Sequence, residues 1–222
     1  MESTVKKEGK THIYNVVILD QSGSMFSIMR EAINGYNETL QTIKAAQRQY
    51  AETQNHFVTL VVFNSSATNV VYDCVPCMDA EELSSKNYQP DCRTPLFDAM
   101  GTTLSKSRYS LDNVTDKKVL VTIITDGQEN DSKEYNRNQI HQLVTELKGQ
   151  GWVFTYIGAN HDVETFAQSI AVPNALHYQS TGEGTKNMFA KDSRKRMAFY
   201  DKIANFFDEE SLQSGFFDDD KS

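Results

Sequence analysis

The sequence is poor in cysteine, in basic clusters, in long apolar runs and in the glycine-rich loops that cradle phosphates. Its three cysteines, Cys74, Cys77 and Cys92, are too few and odd in number for a disulfide framework. Cys74-Val75-Pro76-Cys77 has the spacing of a redox or zinc half-site. No second pair follows and no helical pattern starts at Cys77, so all three read as free thiols. With 22 Lys and Arg against 30 Asp and Glu, the net charge is −8 and no basic patch stands out. That excludes the clustered basic face of a nucleic-acid binder. No apolar run is long enough to span a bilayer, and residues 1–7 lack the apolar centre of a signal peptide. The expectation is a soluble, cytoplasmic protein without membrane contact, in which the Asn-x-Ser/Thr triplets are chance matches to the glycosylation pattern. The histidines are scattered without ligand spacing. No Gly-x-Gly-x-x-Gly follows a strand, no Gly-x-Ser-x-Gly elbow occurs, and the 179–185 stretch misses the phosphate-loop spacing, so neither nucleotide binding nor serine hydrolysis is expected.

What the chain does have is alternation. The run Ile13-Tyr14-Asn15-Val16-Val17-Ile18-Leu19 reads as a covered strand and ends at Asp20-Gln21-Ser22-Gly23-Ser24. Met29, Ile33, Tyr36, Leu40, Ile43, Ala46 and Tyr50 recur at spacings of three and four, which predicts a long amphipathic helix. Residues 56–63 and 67–74 are β-rich runs joined through Asn64-Ser65-Ser66, a hairpin whose second strand becomes an antiparallel edge. A helix over 95–108 and a central strand over 119–125 come next. Ile140, Leu143, Val144 and Leu147 then mark a helix ended by Gly149, and a strand over 152–158, a short helix over 163–170 and a strand over 175–178 follow. Phe189, Met197, Tyr200, Ile203 and Phe207 mark a final docked helix that begins within or after 186–188. This order predicts an α/β fold, a parallel sheet with helices on both faces. The length suits one domain over 11–207, with a flexible N-terminus over 1–10. The acidic tail, 208–222, ends in Phe216-Phe217-Asp218-Asp219-Asp220 and is expected to be disordered.

Three stretches bring hard oxygen to one end of that sheet. In the first loop, alternation lets Asp20, Ser22 and Ser24 converge, while Gly23 turns the backbone without steric cost. Thr94 reads as a helix N-cap with Pro95 as the first helical residue. The strand over 119–125 ends at a second carboxylate, Asp126. Caps and turns use the same residue types without any metal, but five convergent oxygens suit Mg²⁺, which takes few carboxylates and keeps some waters. Asp98 reads as a first-turn helix carboxylate rather than a ligand.

Asp-x-Ser-x-Ser at a strand end, a Thr before Pro-Leu-Phe-Asp-Ala and a strand-terminal Thr-Asp-Gly, in that order, resemble the von Willebrand factor A (VWA) domain and its metal-ion-dependent adhesion site. The resemblance is closest to stand-alone bacterial members, to which Thr94-Pro95-Leu96-Phe97-Asp98-Ala99 and Gly158-Ala159-Asn160-His161-Asp162 look similar. Cys92 departs from the pattern, since many members carry Gly there. The resemblance implies a doubly wound, mostly parallel, six-stranded Rossmann-like sheet with one antiparallel edge, in the order third-second-first-fourth-fifth-sixth. The strands ending at Asp20 and Asp126 then become neighbours and open a crevice. It also implies that Asp20, Ser22, Ser24, Thr94 and Asp126 hold Mg²⁺, or Mn²⁺ or Ca²⁺ in its place. Asp126 and Thr94 would exchange direct and water-mediated contacts, and an open position would take the Asp or Glu side chain of a protein partner.

The function expected is therefore a cation-dependent protein-binding module and not an enzyme. Helix N-termini after Ser24 and at Thr94 would favour the incoming anion, and Gln128, Glu129, Asn130 and Asp131 would form the rim that chooses the partner. An alternative is a Mg²⁺-dependent phosphotransferase or phosphatase with Asp20 as nucleophile. That chemistry uses a second Asp two residues on for proton transfer, where this chain has Ser22. A further alternative lets Asp218, Asp219 or Asp220 reach the cation of a second copy, although a solvated acidic terminus explains the same residues.

Overall fold

The computed structural model describes residues 9–205, 207–213 and 215–218. Its strands are β1 (Thr11–Asp20), β2 (Gln54–Asn64), β3 (Ala67–Pro76), β4 (Lys117–Thr125), β5 (Val153–Gly158) and β6 (Asn174–His177). They form one six-stranded sheet in the order β3-β2-β1-β4-β5-β6. The β2–β3 pair is antiparallel and every other pair is parallel. The expected doubly wound α/β architecture is present, with helices α1 (Met29–Gln49), α2 (Leu96–Leu111), α3 (Arg137–Gly149), α4 (Val163–Ser169), α5 (Gly182–Ala204) and α6 (Glu209–Gln213).

Strand alternation divides the core into two layers. Ile13, Val17 and Leu19 of β1 face the stripe of α1 (Tyr36, Leu40, Ile43) together with Phe189, Phe199 and Tyr200 of α5. Val16 and Ile18 face the other way, onto Leu96 and Met100 of α2, Ile140 and Val144 of α3, and Val163 of α4. Polar side chains also lie in the apolar centre, among them Asn15 on β1 and Thr122 on β4, both fully buried. Helix α5 satisfies these two: Tyr200 Oη donates to Asn15 Oδ1 at 2.5 Å and Arg196 Nη2 donates to Thr122 Oγ1 at 2.8 Å. Arg196 in turn pairs with Asp192 at 3.1 Å, one turn back, with neither side chain exposed. Such polar contacts fix how a helix sits, because a buried group left unpaired is costly.

The C-terminal region differs from the sequence expectation. Helix α5 starts at Gly182, earlier than its apolar stripe suggests, because Thr181 Oγ1 caps it by accepting from Gly184 N at 3.1 Å. It ends before Phe207, which is exposed. The described part of the tail is docked rather than disordered: Leu212, Phe216 and Phe217 are buried in the α1/α5 layer. Asn174, the first residue of β6, holds this segment, donating to the Gln213 carbonyl at 2.9 Å and accepting from Phe216 N at 3.0 Å. Two phenylalanines thus outweigh the acidic composition around them. Asp219, Asp220 and residues 1–8 of the expected flexible N-terminus lie outside the described residues.

Candidate metal centre

Strands β1 and β4 are parallel neighbours with Leu19 opposite Ile124, so Asp20 and Asp126 emerge side by side at the carboxyl rim. From there β1 leads to α1 on one face and β4 leads to α3 on the other. This is the switch point at which open α/β sheets bind ligands.

The structure brings all five expected residues to this point. Asp20 Oδ1 accepts from the Ser22 backbone N–H at 2.7 Å and Oδ2 from Thr125 Oγ1 at 2.5 Å. Ser22 Oγ and Ser24 Oγ are 3.2 Å apart, and Ser24 Oγ donates to Asp126 Oδ1 at 2.5 Å. Thr94 reaches the same place: a Cβ on Gly127 would lie 3.6 Å from Ser24 Oγ and 3.7 Å from Thr94 Oγ1. Asp20, Ser22, Thr94 and Asp126 are buried, whereas Ser24 is exposed and marks the opening to solvent.

Burial pushes the Asp20 carboxyl up to about 6; the hydrogen bonds from Thr125 and Ser22 oppose this shift and the nearby Asp126 adds to it. A cation at this point would reverse the penalty. Among the described residues no group of three or more His, Cys, Asp or Glu side chains gathers to hold a metal. The donor set here is instead two carboxylates and three hydroxyls. All are hard oxygens, so the residues fit a hard divalent ion rather than zinc.

Several local expectations need correction. Pro95, not Thr94, occupies the cap position of α2, and no side-chain cap is made there. The first N–H groups of α2 are served from the β4–α3 loop, Phe97 N by Glu129 Oε2 at 2.9 Å and Asp98 N by Ser132 Oγ at 3.1 Å. The Thr94 hydroxyl is therefore not spent on the helix, and the N-terminus of α2 is not open to an incoming anion. Ser24 lies within a 3-10 turn, Gly23–Ile28, and α1 starts only at Met29, so the α1 N-terminus is also displaced from the site. Glu129 and Asn130 do not form a free rim. Glu129 also accepts from Asp131 N and Ser132 N, and Asn130 Oδ1 accepts from Thr94 N at 3.0 Å. Asp98 is in the first turn of α2, as expected, but its carboxylate takes the N–H groups of Lys133, Glu134 and Tyr135.

Other supporting residues were not singled out from the sequence. Tyr88 Oη donates to the Asp20 carbonyl at 2.7 Å, Asn160 Nδ2 to the Asp126 carbonyl at 2.9 Å and Ser180 Oγ to Asp126 Oδ2 at 3.2 Å. Of these, Asn160 alone belongs to a family-like motif, Gly158-Ala159-Asn160-His161-Asp162. Cys92, the departure from the family pattern, has φ 64°, the left-handed region that Gly adopts most readily. Its carbonyl still accepts from Gly23 N at 3.0 Å, so the loop closes despite the side chain.

This strand order and switch point define a VWA-like fold, and solved structures share it. The chain aligns with proximal thread matrix protein 1 from the mussel byssus at 14% identity and a TM-score of 0.54, over 84% of this chain and 46% of that one. The chain thus spans about half the length of the mussel protein. It aligns with the SpRpn10 VWA domain at 7% identity and a TM-score of 0.51, over 80% of this chain and 93% of that one. It aligns with the manganese-loaded TRAP protein of Plasmodium vivax at 16% identity and a TM-score of 0.51, over 81% and 71%. At these identities the likeness is one of fold. No protein-family model matches the chain, and no curated protein matches it.

Proposed function

We propose that this chain is a divalent-cation-dependent protein-interaction module. Asp20, Ser22, Ser24, Thr94 and Asp126 hold Mg²⁺, with Mn²⁺ or Ca²⁺ as substitutes, directly or through water. The ion supplies a Lewis-acidic position that takes an Asp or Glu carboxylate from a protein partner. The observation that carries this reading is the meeting of Ser22, Ser24 and Asp126 oxygens from separate segments within 3.2 Å steps of one another, with Thr94 Oγ1 beside them. The TRAP structure that shares this fold is manganese-loaded, which supports the reading. Phe26, 71% exposed and two residues past Ser24, gives the rim an apolar contact for a partner.

The phosphotransferase alternative is disfavoured by the surroundings of Asp20. Its side chain is fully buried, away from a phosphate ester, and Ser22 stands where that chemistry needs a second Asp for proton transfer. The acidic tail is no part of this reading: Phe216 anchors its described part beside Asn174 on the edge strand β6, level with Thr122 in the middle of the sheet.

Titration calorimetry of the wild type, Asp126→Ala and Thr94→Ala with MgCl₂ and MnCl₂ tests the site. The expected result is saturable uptake by the wild type and loss in both variants, with chelator-sensitive capture of an acidic protein partner following the same pattern. Absence of uptake by the wild type overturns the proposal.

A further inference from the structure

The loop that follows β6 adds two hydroxyls to the site that no sequence motif marks. Tyr178 is the first residue past β6, and its N–H is tied to the Gly158 carbonyl at 2.9 Å. Gly158 is opposite Thr125 in the sheet, so Tyr178 stands at the same rim as Asp126. Two residues on, Ser180 Oγ donates to Asp126 Oδ2 at 3.2 Å. The two oxygens of Asp126 are thus held by hydroxyls from different loops, Ser24 on one and Ser180 on the other.

Tyr178 is the more informative of the pair. Its side chain is buried, 5% exposed, and its hydroxyl has no hydrogen-bond partner. Tyr88, by contrast, spends its buried hydroxyl on the Asp20 carbonyl. Burial and then the charges of Asp126 and Asp20 push the Tyr178 phenol well above its ordinary value, so its hydroxyl lies in the field of both site carboxylates and stays protonated. A buried hydroxyl without a partner is a cost to the fold. Native structures retain such groups where a water, an ion or a functional contact completes them.

We infer that Ser180 and Tyr178 are positioning residues of the cation site: Ser180 orients the Asp126 carboxylate, and the buried, unpartnered Tyr178 hydroxyl would supply a hydrogen-bond donor to the hydration of an ion held there. This rests on the proposed cation site and adds a fourth chain segment to it. Partners that orient metal ligands typically change metal affinity by about 10–100-fold when removed. An orphaned hydroxyl has the opposite effect on the metal-free protein, because deleting it relieves a cost.

The test pairs calorimetric affinity for Mg²⁺ and Mn²⁺ with the melting temperature in EDTA, for the wild type, Tyr178→Phe, Ser180→Ala and Ser180→Thr. Tyr178→Phe is expected to weaken Mg²⁺ binding about 10-fold while leaving the EDTA melting temperature equal or higher. Ser180→Ala is expected to weaken binding by a similar factor, and Ser180→Thr, which keeps the hydroxyl, restores it. Wild-type affinity in both Tyr178→Phe and Ser180→Ala overturns the inference and leaves the cation site standing. So does a Tyr178→Phe variant that melts lower in EDTA with unchanged affinity, the mark of a purely structural hydroxyl. A wild type that takes up neither ion removes the inference together with the site beneath it.

Discussion

Asp20→Asn separates the cost of a buried carboxylate from its use. In the metal-free fold this group is pushed up to about 6 from an ordinary value of 3.8, mainly by burial. That is about two pKa units, or about 3 kcal/mol at 1.36 kcal/mol per unit. Because the folded value lies above the unfolded one, the stability is fully present below pH 3.8 and is lost as the pH rises through about 6. Asparagine keeps the shape without the charge: its oxygen can accept the Ser22 N–H, and its amide can donate to Thr125 Oγ1, whose own hydrogen can turn to the Gly127 carbonyl 3.0 Å away. Urea denaturation in EDTA is therefore expected to give similar stabilities at pH 4 and an advantage of about 3 kcal/mol for Asp20→Asn at pH 8. Magnesium at about one hundred times its dissociation constant should then stabilise the wild type by about 2.7 kcal/mol and the variant not at all. Groups remote from Asp20 titrate alike in both proteins and cancel from the difference. An Asp20→Asn protein less stable than the wild type at pH 8 in EDTA would refute the electrostatic reasoning, and an equal magnesium shift in both would refute the ligand assignment.

Phe216→Ala should cost about 3 kcal/mol in chemical denaturation, the usual result of emptying a buried aromatic site; a tail that does not dock would show no change. Gly35→Ala places a Cβ 1.9 Å from Phe189 Cδ2 at the α1/α5 contact. The overpacking exceeds the gain in helix propensity, so a net loss of about 1–2 kcal/mol is expected, largely recovered by Phe189→Leu in the same chain. Burial pushes His56 down to about 4 from 6.5, so its contribution is present above pH 6.5 and is lost as the pH falls through about 4. The stability of the wild type relative to His56→Gln should accordingly shrink by about 3 kcal/mol between pH 7 and pH 4; a constant difference across that range would exclude a neutral buried imidazole.

Local periodicity carries the strand and helix order of this chain because each element buries one face, and a buried face is written in its own spacing. The long α1 stripe is the clearest case, with Tyr36, Leu40, Ile43 and Ala46 all buried. The hairpin edge is equally legible, since β3 is mostly exposed and β2 mostly buried. What spacing cannot carry is pairing between distant segments. Asn15 looks like an interruption in an apolar run until Tyr200 is found against it, and Thr122 until Arg196 is. The same limit explains Glu129, which composition makes a free acidic rim residue and the fold turns inward onto Phe97, Asp131 and Ser132. The hydroxyls of Tyr178 and Ser180 lie in no recognisable pattern, because a positioning group needs reach rather than fixed spacing.

Four carboxylates meet near this rim, and the kind of donor each receives divides them into two chemistries. Glu129 accepts three backbone N–H groups and Asp98 accepts three more, all from segments whose course is set by the fold. A backbone N–H can only donate, so these two carboxylates are permanently committed to tying the β4–α3 loop to α2. Asp126 receives only hydroxyls, from Ser24 and Ser180, and Asp20 receives one N–H and one hydroxyl. A hydroxyl can rotate its hydrogen away and present a lone pair instead, so the groups that hold Asp126 in place before an ion arrives can turn into ligands when it does. The committed pair fixes the walls, whereas Asp126 and one oxygen of Asp20 are held by hydroxyls that can turn. On this basis the proposed cation site rests on Asp20 and Asp126 rather than on Asp98 and Glu129.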